Sequence, residues 1–432
     1  MITRLTIALL ALLVLSAPVG LVLFALAFGV DWFFSAFPLV RGMGQVIWTA
    51  SNASLLIAIP FFVFLGELLV RSGVAARTYA ALDAWLSWLP GGLIHANIAT
   101  ATAFSATSGS SVATAATVAT VATPQAHRLG YDPRLFSGAI AAGGTLGIMI
   151  PPSINLIVYG FLTQTSIPQL FLAGLIPGIL LALMFMAVTA LVCGIRPSLG
   201  GPGRAASWPE RIRGLADLIP ILVLFAAVVG SIYAGWATPT EAAAVGVVIA
   251  ALIALSTGGL TLAAVHAALL GTVKVTGMII FIIIAASYLN YTLGAAGLGR
   301  ELEAMLDGLG LGALETMLVI VLLYIVLGFF IETLSLMVAT IPIVAPIVIA
   351  LGYDPVWFGI MLILLVEMAL ITPPVGLNLF VVQAARRAAG TPGGLGQVMV
   401  GAAPYALTML VMAGLLLAFP GLALWLPALG QP

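Results

Sequence analysis

Phe104-Ser-Ala-Thr-Ser-Gly-Ser-Ser-Val-Ala-Thr-Ala-Ala-Thr-Val-Ala-Thr120 decides how this chain is read. The stretch is small and hydroxyl-rich, centred on Ser108-Gly109-Ser110-Ser111, inside a strongly apolar protein. Downstream come Pro124, Leu129-Gly-Tyr-Asp-Pro133 and the broken run Gly143-Gly-Thr-Leu-Gly-Ile-Met-Ile-Pro-Pro-Ser153. The same punctuation returns later. Pro346 matches Pro124, Leu351-Gly-Tyr-Asp-Pro355 repeats the pentapeptide, Phe358 matches Phe136, and Pro373-Pro374 matches Pro151-Pro152, all at an offset of 222 residues. Several matches at one offset indicate an internal duplication.

Composition sets the class. The chain is 62% hydrophobic and 6% charged, and its mean hydropathy is +1.25. That is the profile of an all-α polytopic membrane protein. A net charge of zero gives no case for nucleic-acid binding. Cys193 is the single cysteine, so no internal disulfide forms, and it reads as a small packing residue. Three histidines and one cysteine argue against a dedicated zinc site. No Gly-x-x-x-x-Gly-Lys-Ser/Thr loop is present for ATP hydrolysis.

The N-terminus imitates a signal peptide, with Arg4, an apolar core and Ser16-Ala17-Pro18, but the apolar run continues to Phe28. Leu5–Phe28 is therefore expected as a first span. Further expected spans are Ser51–Val70, Gln169–Cys193, Leu215–Trp236, Pro239–Ser256, Met278–Leu293 and Gln397–Phe419. Ala81–Leu89, carrying Trp85 and Trp88, reads as an interfacial helix. Thr261–Thr276, with His266 and Lys274, reads as an amphipathic stretch, both side chains snorkelling.

Gly91–Ala126 is too polar at its middle for one span and fits a re-entrant hairpin turning at Ser108-Gly109-Ser110. Pro133–Phe161 is a span broken at Gly143–Pro152. Leu311–Ala350 is a second hairpin, turning near Glu332, and Asp354–Gln383 is a second broken span. The units are residues 1–193, a linker and connecting span at 194–236, and residues 237–432.

Loop charge orients the halves. Arg71, Arg77, Arg128 and Arg134 surround the first hairpin, whereas Arg300 near the second is diluted by Glu301, Glu303 and Asp307. The positive-inside rule puts the first hairpin's opening in the cytoplasm and the second's outside. The linker arginines Arg196, Arg204, Arg211 and Arg213, and the pair Arg386-Arg387, fall inside on that thread. Nine full spans then give a cytoplasmic N-terminus and a periplasmic C-terminus, with the two copies inverted.

Inverted copies with hairpins and broken helices suit a secondary transporter whose site lies near the midplane. Non-helical backbone is tolerated in hydrocarbon only where it is buried or lines a wet cavity. Half-helix N-termini favour anions. Hydroxyls and unwound carbonyls suit Na⁺, a hard cation.

Five motifs carry a family resemblance: Ser110-Ser-Val-Ala-Thr-Ala-Ala-Thr117 behind Ser108-Gly109, Gly144-Thr-Leu-Gly-Ile-Met-Ile-Pro-Pro-Ser153, Ala173-Gly-Leu-Ile-Pro-Gly178, Ala237-Thr-Pro-Thr-Glu-Ala-Ala-Ala244 and Ile371-Thr-Pro-Pro-Val-Gly-Leu-Asn378. Over nearly its whole length the chain resembles the large membrane subunit of tripartite ATP-independent periplasmic (TRAP) transporters, the DctM type. The resemblance implies a Na⁺-driven importer of organic anions, usually carboxylates, in the bacterial inner membrane. It implies two partners, a small four-helix membrane subunit and a periplasmic binding protein. It also implies an elevator, in which a transport domain moves against a scaffold. No cofactor beyond Na⁺ as coupling ion is expected. Many members carry Asp where Thr114 stands, and many carry Asp near Glu332.

Candidate Na⁺ ligands are Ser108, Gly109, Ser110, Ser111, Gly144, Thr145, Glu332, Thr333, Thr372 and Gly376. Candidate substrate contacts are Pro151, Pro152, Ser153, Asn155, Pro373, Pro374 and Asn378. The serines can equally be helix-packing residues, and the asparagines helix glue. Thr145, Thr372 and the adjacent glycines can equally be helix breakers. Glu332 can be an interior hydrogen-bonding residue. Glu67, Glu241 and Glu367 are read as structural, because an intramembrane carboxylate must find a partner or stay protonated. A rival is a stand-alone Na⁺/carboxylate carrier of the related elevator type. An intramembrane hydrolase would need a catalytic set for which His95, His127 and His266 are poorly placed.

Overall fold

The computed structural model describes residues 2–14, 17–35, 37–201, 206–298, 301 and 312–429. The side chains of Ser108 and His127 lie outside that description, as do Ser16, Arg204, Arg300, Glu303, Asp307 and Leu311, together with the expectations that use them.

Every regular element among the described residues is helical. The N-terminal part holds α1 (Ile2–Val14), α2 (Val19–Phe34), α3 (Met43–Ser51), α4 (Ala58–Arg71) and α5 (Val74–Leu86). Then follow α6 (Leu93–Ser108), α7 (Ser111–Leu129), α8 (Pro133–Met149), α9 (Ile154–Thr163) and α10 (Ile167–Ile195). The second part holds α11 (Trp208–Tyr233), α12 (Pro239–Ser256), α13 (Leu262–Ala295), α14 (Ala313–Gly328), α15 (Thr333–Ala350) and α16 (Pro355–Ala369). It ends in α17 (Leu377–Ala388), α18 (Leu395–Ala418) and α19 (Gly421–Leu429).

Among the described residues seven helices are long and apolar enough to cross a membrane, and eight if α8 and α9, bent by 42°, count as one span. The protein is thus a multi-pass membrane protein, with fewer qualifying spans than the nine expected. Two differences from the expected elements have simple causes, and only the first lowers the span count. The expected span Leu5–Phe28 is two helices, with Pro18 at the break. Proline lacks the amide donor and disfavours helix in the residue before it. Thr261–Thr276 is not separate from Met278–Leu293. Both belong to α13, a helix of 34 residues with no internal proline, begun by the Thr261 hydroxyl accepting from Ala264 N at 3.1 Å.

Other boundaries move less. The expected interfacial helix starts earlier, at Val74 after the left-handed Gly73, and ends at Leu86. It is pinned to α11, with Trp85 Nε1 donating to Arg211 O at 2.9 Å and the Trp85 ring edge-on to Trp208 at 6.5 Å. Arg211 and Arg213 thus lie in a helix, not in the linker.

The same local chemistry starts both broken segments. Asp132 caps α8, accepting from Arg134 N and Leu135 N, with Pro133 in the first turn. Asp354 caps α16 in the same way, with Pro355. An Asp cap before an early proline is a strong helix start. Both segments then break at a Pro-Pro pair, and both Pro-Pro peptides are cis.

Glycines let the core close up. Gly138 of α8 and Gly401 of α18 face each other so closely that a Cβ on either would overlap the other helix's backbone. A Cβ at Gly174 of α10 would lie 2.8 Å from Met149 O, so α10 presses on the break of α8. Trp357 Nε1 donates to Leu416 O at 3.0 Å and Tyr159 OH to Pro355 O at 2.6 Å, which locks α16 to α18 and α9. Elsewhere, Phe24 packs against Phe281 and Tyr288, joining α2 to α13.

Candidate functional site

The site is built where the turn between α6 and α7 meets the break in α8. Gly109 takes the left-handed conformation (φ 57°) that ends α6, as glycine does without strain. Ser110 and Ser111 then open α7, with Ala113 N donating to Ser110 Oγ at 3.4 Å. A Cβ on Gly147 would lie 2.8 Å from Ser111 Cα and 2.9 Å from Ser110 O, and one on Gly109 would lie 3.3 Å from Pro152 O. The turn therefore rests on the wall of α8 and on Pro152.

Gly144 is where three elements converge. A Cβ there would lie 2.7 Å from Ala115 Cβ, 3.0 Å from Asn378 Nδ2 and 3.1 Å from Ser111 O. Asn378, in the first turn of α17, donates through Nδ2 to Ala141 O of α8 at 3.1 Å. Ser111 Oγ donates to Glu367 Oε2 of α16 at 2.6 Å, across 256 residues of sequence. Glu367 is 0% exposed. Its Oε1, and Asn378 Oδ1, are buried acceptors without a hydrogen-bond donor among the described residues. A buried carboxylate oxygen left unpaired is expensive, so such an oxygen calls for a proton or a cation.

The other expected residues divide. Thr145 is buried, but its hydroxyl donates to Ala142 O at 2.6 Å and faces Met409 Sδ of α18 at 3.9 Å. One residue along a helix turns a side chain by about 100°, so Gly144 faces the turn and Thr145 faces α18. Thr145 and Glu367 are 222 residues apart, the offset of the sequence matches, yet their side chains make different contacts. Ser153 is 0% exposed and caps α9, accepting from Leu156 N at 3.3 Å. Pro151, Pro152 and Asn155 are buried beside it, and Asn155 Nδ2 has no partner among the described residues.

The second half is more open. Glu332 is exposed and caps α15, accepting from Leu334 N at 3.1 Å, Ser335 N at 3.0 Å and the Thr333 hydroxyl at 3.0 Å. The Thr372 hydroxyl donates to Met368 O at 2.7 Å, and Pro373 and Pro374 are exposed. Gly376 is left-handed (φ 58°) before α17, whose first turn has no side-chain cap.

Of the acids read as structural, Glu67 pairs with Arg71 at 2.7 Å and packs against Gly271 of α13. Glu241 closes a capping box with Thr238. Glu367 alone reaches the turn. The sequence signal for it was an acid inside the apolar run Val356–Ala369, but its partner could not be read.

With this geometry in view, the family described as "Tripartite ATP-independent periplasmic transporter, DctM component" matches residues 6–422. The chain belongs to that family. One relative is the C4-dicarboxylate TRAP transporter large permease protein DctM of Pseudomonas aeruginosa, 34% identical over 90% of each chain. Another is the sialic acid TRAP transporter large permease protein SiaM of Vibrio cholerae, 31% identical over 87% of this chain and 86% of that one. Among solved structures, the Alcanivorax borkumensis YdaH transporter shares the fold, with a TM-score of 0.59 at 16% identity over 96% of this chain and 98% of that one. Family membership makes the chain a transporter permease, and the residues gathered at the turn are read in that light.

Proposed function

We propose that this chain is the large transmembrane subunit of a Na⁺-coupled TRAP importer for an organic anion of the carboxylate or acidic-sugar class. A periplasmic binding protein delivers the anion, and a small four-helix subunit completes the carrier in the inner membrane. The observation that carries the coupling ion is the pair of donor-less buried oxygens, Glu367 Oε1 and Asn378 Oδ1, beside the turn Gly109–Ser111. A hard cation satisfies such oxygens without a donor. Glu367, Asn378, Ser110 and Ser111 are the ligands this reading assigns to a Na⁺ in the first half. Glu332, Thr333, Thr372 and Gly376 are assigned to the second.

The anion is assigned to the space between the two breaks, against Pro151–Ser153 on one side and Pro373-Pro374 on the other. Support comes from the N-terminus of α17, which has no side-chain cap behind the exposed Pro373-Pro374 pair. The positive end of the helix dipole there favours a carboxylate, with Asn378 N and Leu379 N already donating to Leu370 O and Gly376 O. Both named relatives have acidic substrates in their names, C4-dicarboxylate and sialic acid.

For alternating access, the hairpins and broken helices form two inverted copies that move together against α2, α4, α11 and α12. The arms are α5, which touches both α6 and α11, and the first half of α13. The test is uptake in proteoliposomes holding the chain, the small subunit and the binding protein under an imposed Na⁺ gradient. Concentrative uptake should require all three proteins and inward Na⁺. Equal uptake without the binding protein would instead establish the stand-alone carrier. Equal uptake under a K⁺ gradient would refute Na⁺ coupling.

A further inference from the structure

A separate cavity lies far from the turn. It holds about 310 Å³ and is lined by Thr123, Tyr131, Ser137, Arg386, Thr391 and Pro392, among others. It sits where the end of α7 and the start of α8 meet the loop between α17 and α18. Ser137 is thirteen residues from Ile150 at the break, about 20 Å along the helix at 1.5 Å per residue. This cavity is therefore not part of the site between the hairpin turn and the two breaks.

Its chemistry is one-sided. Arg386 is 1% exposed. Its guanidinium reaches only neutral oxygens among the described residues: Pro392 O at 2.8 Å, Gln397 Oε1 at 2.7 Å and Gln383 Oε1 at 3.4 Å. Its Nε has no partner among them, and neither do the hydroxyls of Thr123 and Thr391. The cations nearest in sequence, Arg128, Arg134 and Arg387, are exposed, and the buried Asp83 lies toward the Tyr131 side of the cavity. The nearest acid in sequence to the lining residues, Asp132, has its carboxylate on Arg134 N and Leu135 N. A buried guanidinium with only neutral partners beside a cavity favours an anion there as its counter-charge. Guanidinium and hydroxyl donors together are the usual cradle of a phosphate-class oxyanion.

We propose that this cavity binds a phosphate-class oxyanion on Arg386, Thr123 and Thr391. The group is either free phosphate or the headgroup of an anionic phospholipid. The site ties the end of α7 to the α17–α18 loop, and it needs neither Na⁺ nor the transported anion.

The probes are inorganic phosphate, and phosphatidylglycerol added back to delipidated protein. The full-length chain is purified in detergent at constant ionic strength, with chloride as the control. Saturable stabilisation by phosphate, a rise in Tm of about 2 °C or more, identifies a free-phosphate site. Retention of one phosphatidylglycerol in native mass spectrometry, without a phosphate effect, identifies a headgroup site. Either effect should disappear in Thr123→Val/Thr391→Val, which removes two cavity hydroxyls and leaves the Arg386 hydrogen bonds in place. Arg386→Gln should also abolish it, with a lower starting Tm because the loop ties are lost. The proposal is overturned if neither probe acts on the natural protein. It is equally overturned if either probe acts unchanged on the Thr123→Val/Thr391→Val variant.

Discussion

The Ser111–Glu367 contact can be tested as a pair. If the Glu367 carboxylate is a Na⁺ ligand, Glu367→Gln keeps its size and its acceptor for the Ser111 hydroxyl but removes the charge. A unit charge about 4 Å away at an effective dielectric near 20 is worth about 4 kcal/mol, part of which the lost desolvation cost offsets. Half-saturation for Na⁺ should rise at least about tenfold, which corresponds to about 1.4 kcal/mol. Ser111→Ala removes a 2.6 Å hydrogen bond to a carboxylate. Bonds to charged groups are worth about 1.5–3 kcal/mol, so this variant should also raise half-saturation by tenfold or more. Because the serine and the carboxylate are bonded to each other at one cation, the two effects should not add, and the double variant should be little worse than Glu367→Gln alone, a coupling of at least about 1 kcal/mol. The assay is Na⁺-dependent uptake in proteoliposomes, with detergent-melting curves confirming that each variant is folded. If Glu367→Gln folds normally and its Na⁺ dependence is unchanged, the carboxyl is a protonated packing group. Strictly additive effects would mean that Ser111 and Glu367 act on separate sites.

Gly147→Ala should damage transport more than yield, because its new methyl meets the Ser110–Ser111 backbone at under 3 Å, an overpacking worth about 1–3 kcal/mol. Gly277→Ala, which meets nothing within 4 Å, is the control and should be neutral or slightly stabilising in a melting assay. Thr145→Val should change Na⁺ half-saturation less than about threefold, since its hydroxyl is spent within its own helix; a tenfold rise would show that it reaches the cation. For topology, single cysteines at the exposed Arg128 and Ala350, in a chain lacking Cys193, should react with an impermeant thiol reagent from opposite faces. Reaction of both from one face would refute the inverted arrangement.

Much of the architecture follows from short-range rules, which is why the sequence by itself determined it. Asp132-Pro133 and Asp354-Pro355 start helices because an Asp cap and an early proline act within one turn. The Pro-Pro pairs interrupt helices wherever they stand, and Gly109 can take the left-handed turn between α6 and α7 whatever surrounds it. The same rules explain the miss at Pro18, a breaker that an apolar-length argument passes over. They also explain α13, where weak amphipathicity over Thr261–Thr276 did not stop a helix with nothing to break it.

Which side chains meet is a different matter. Hydropathy treats Glu367 as one acid among three, and only the crossing of α16 with the turn before α7 separates it from Glu67 and Glu241, whose partners are four and three residues away. Thr145 and Glu367 stand 222 residues apart in sequence, yet the Thr145 hydroxyl turns to Ala142 O and Met409 of α18 while the Glu367 carboxylate meets Ser111 of α7. Arg386 reads as half of a basic pair at a helix end, and the loop that folds over it makes it a buried, unneutralised cation. Caps and breakers act over one turn of helix and are written in consecutive residues. Partners such as Ser111 and Glu367 are brought together only by how helices cross, which depends on glycine contacts such as Gly144 and Gly147 that no local pattern encodes.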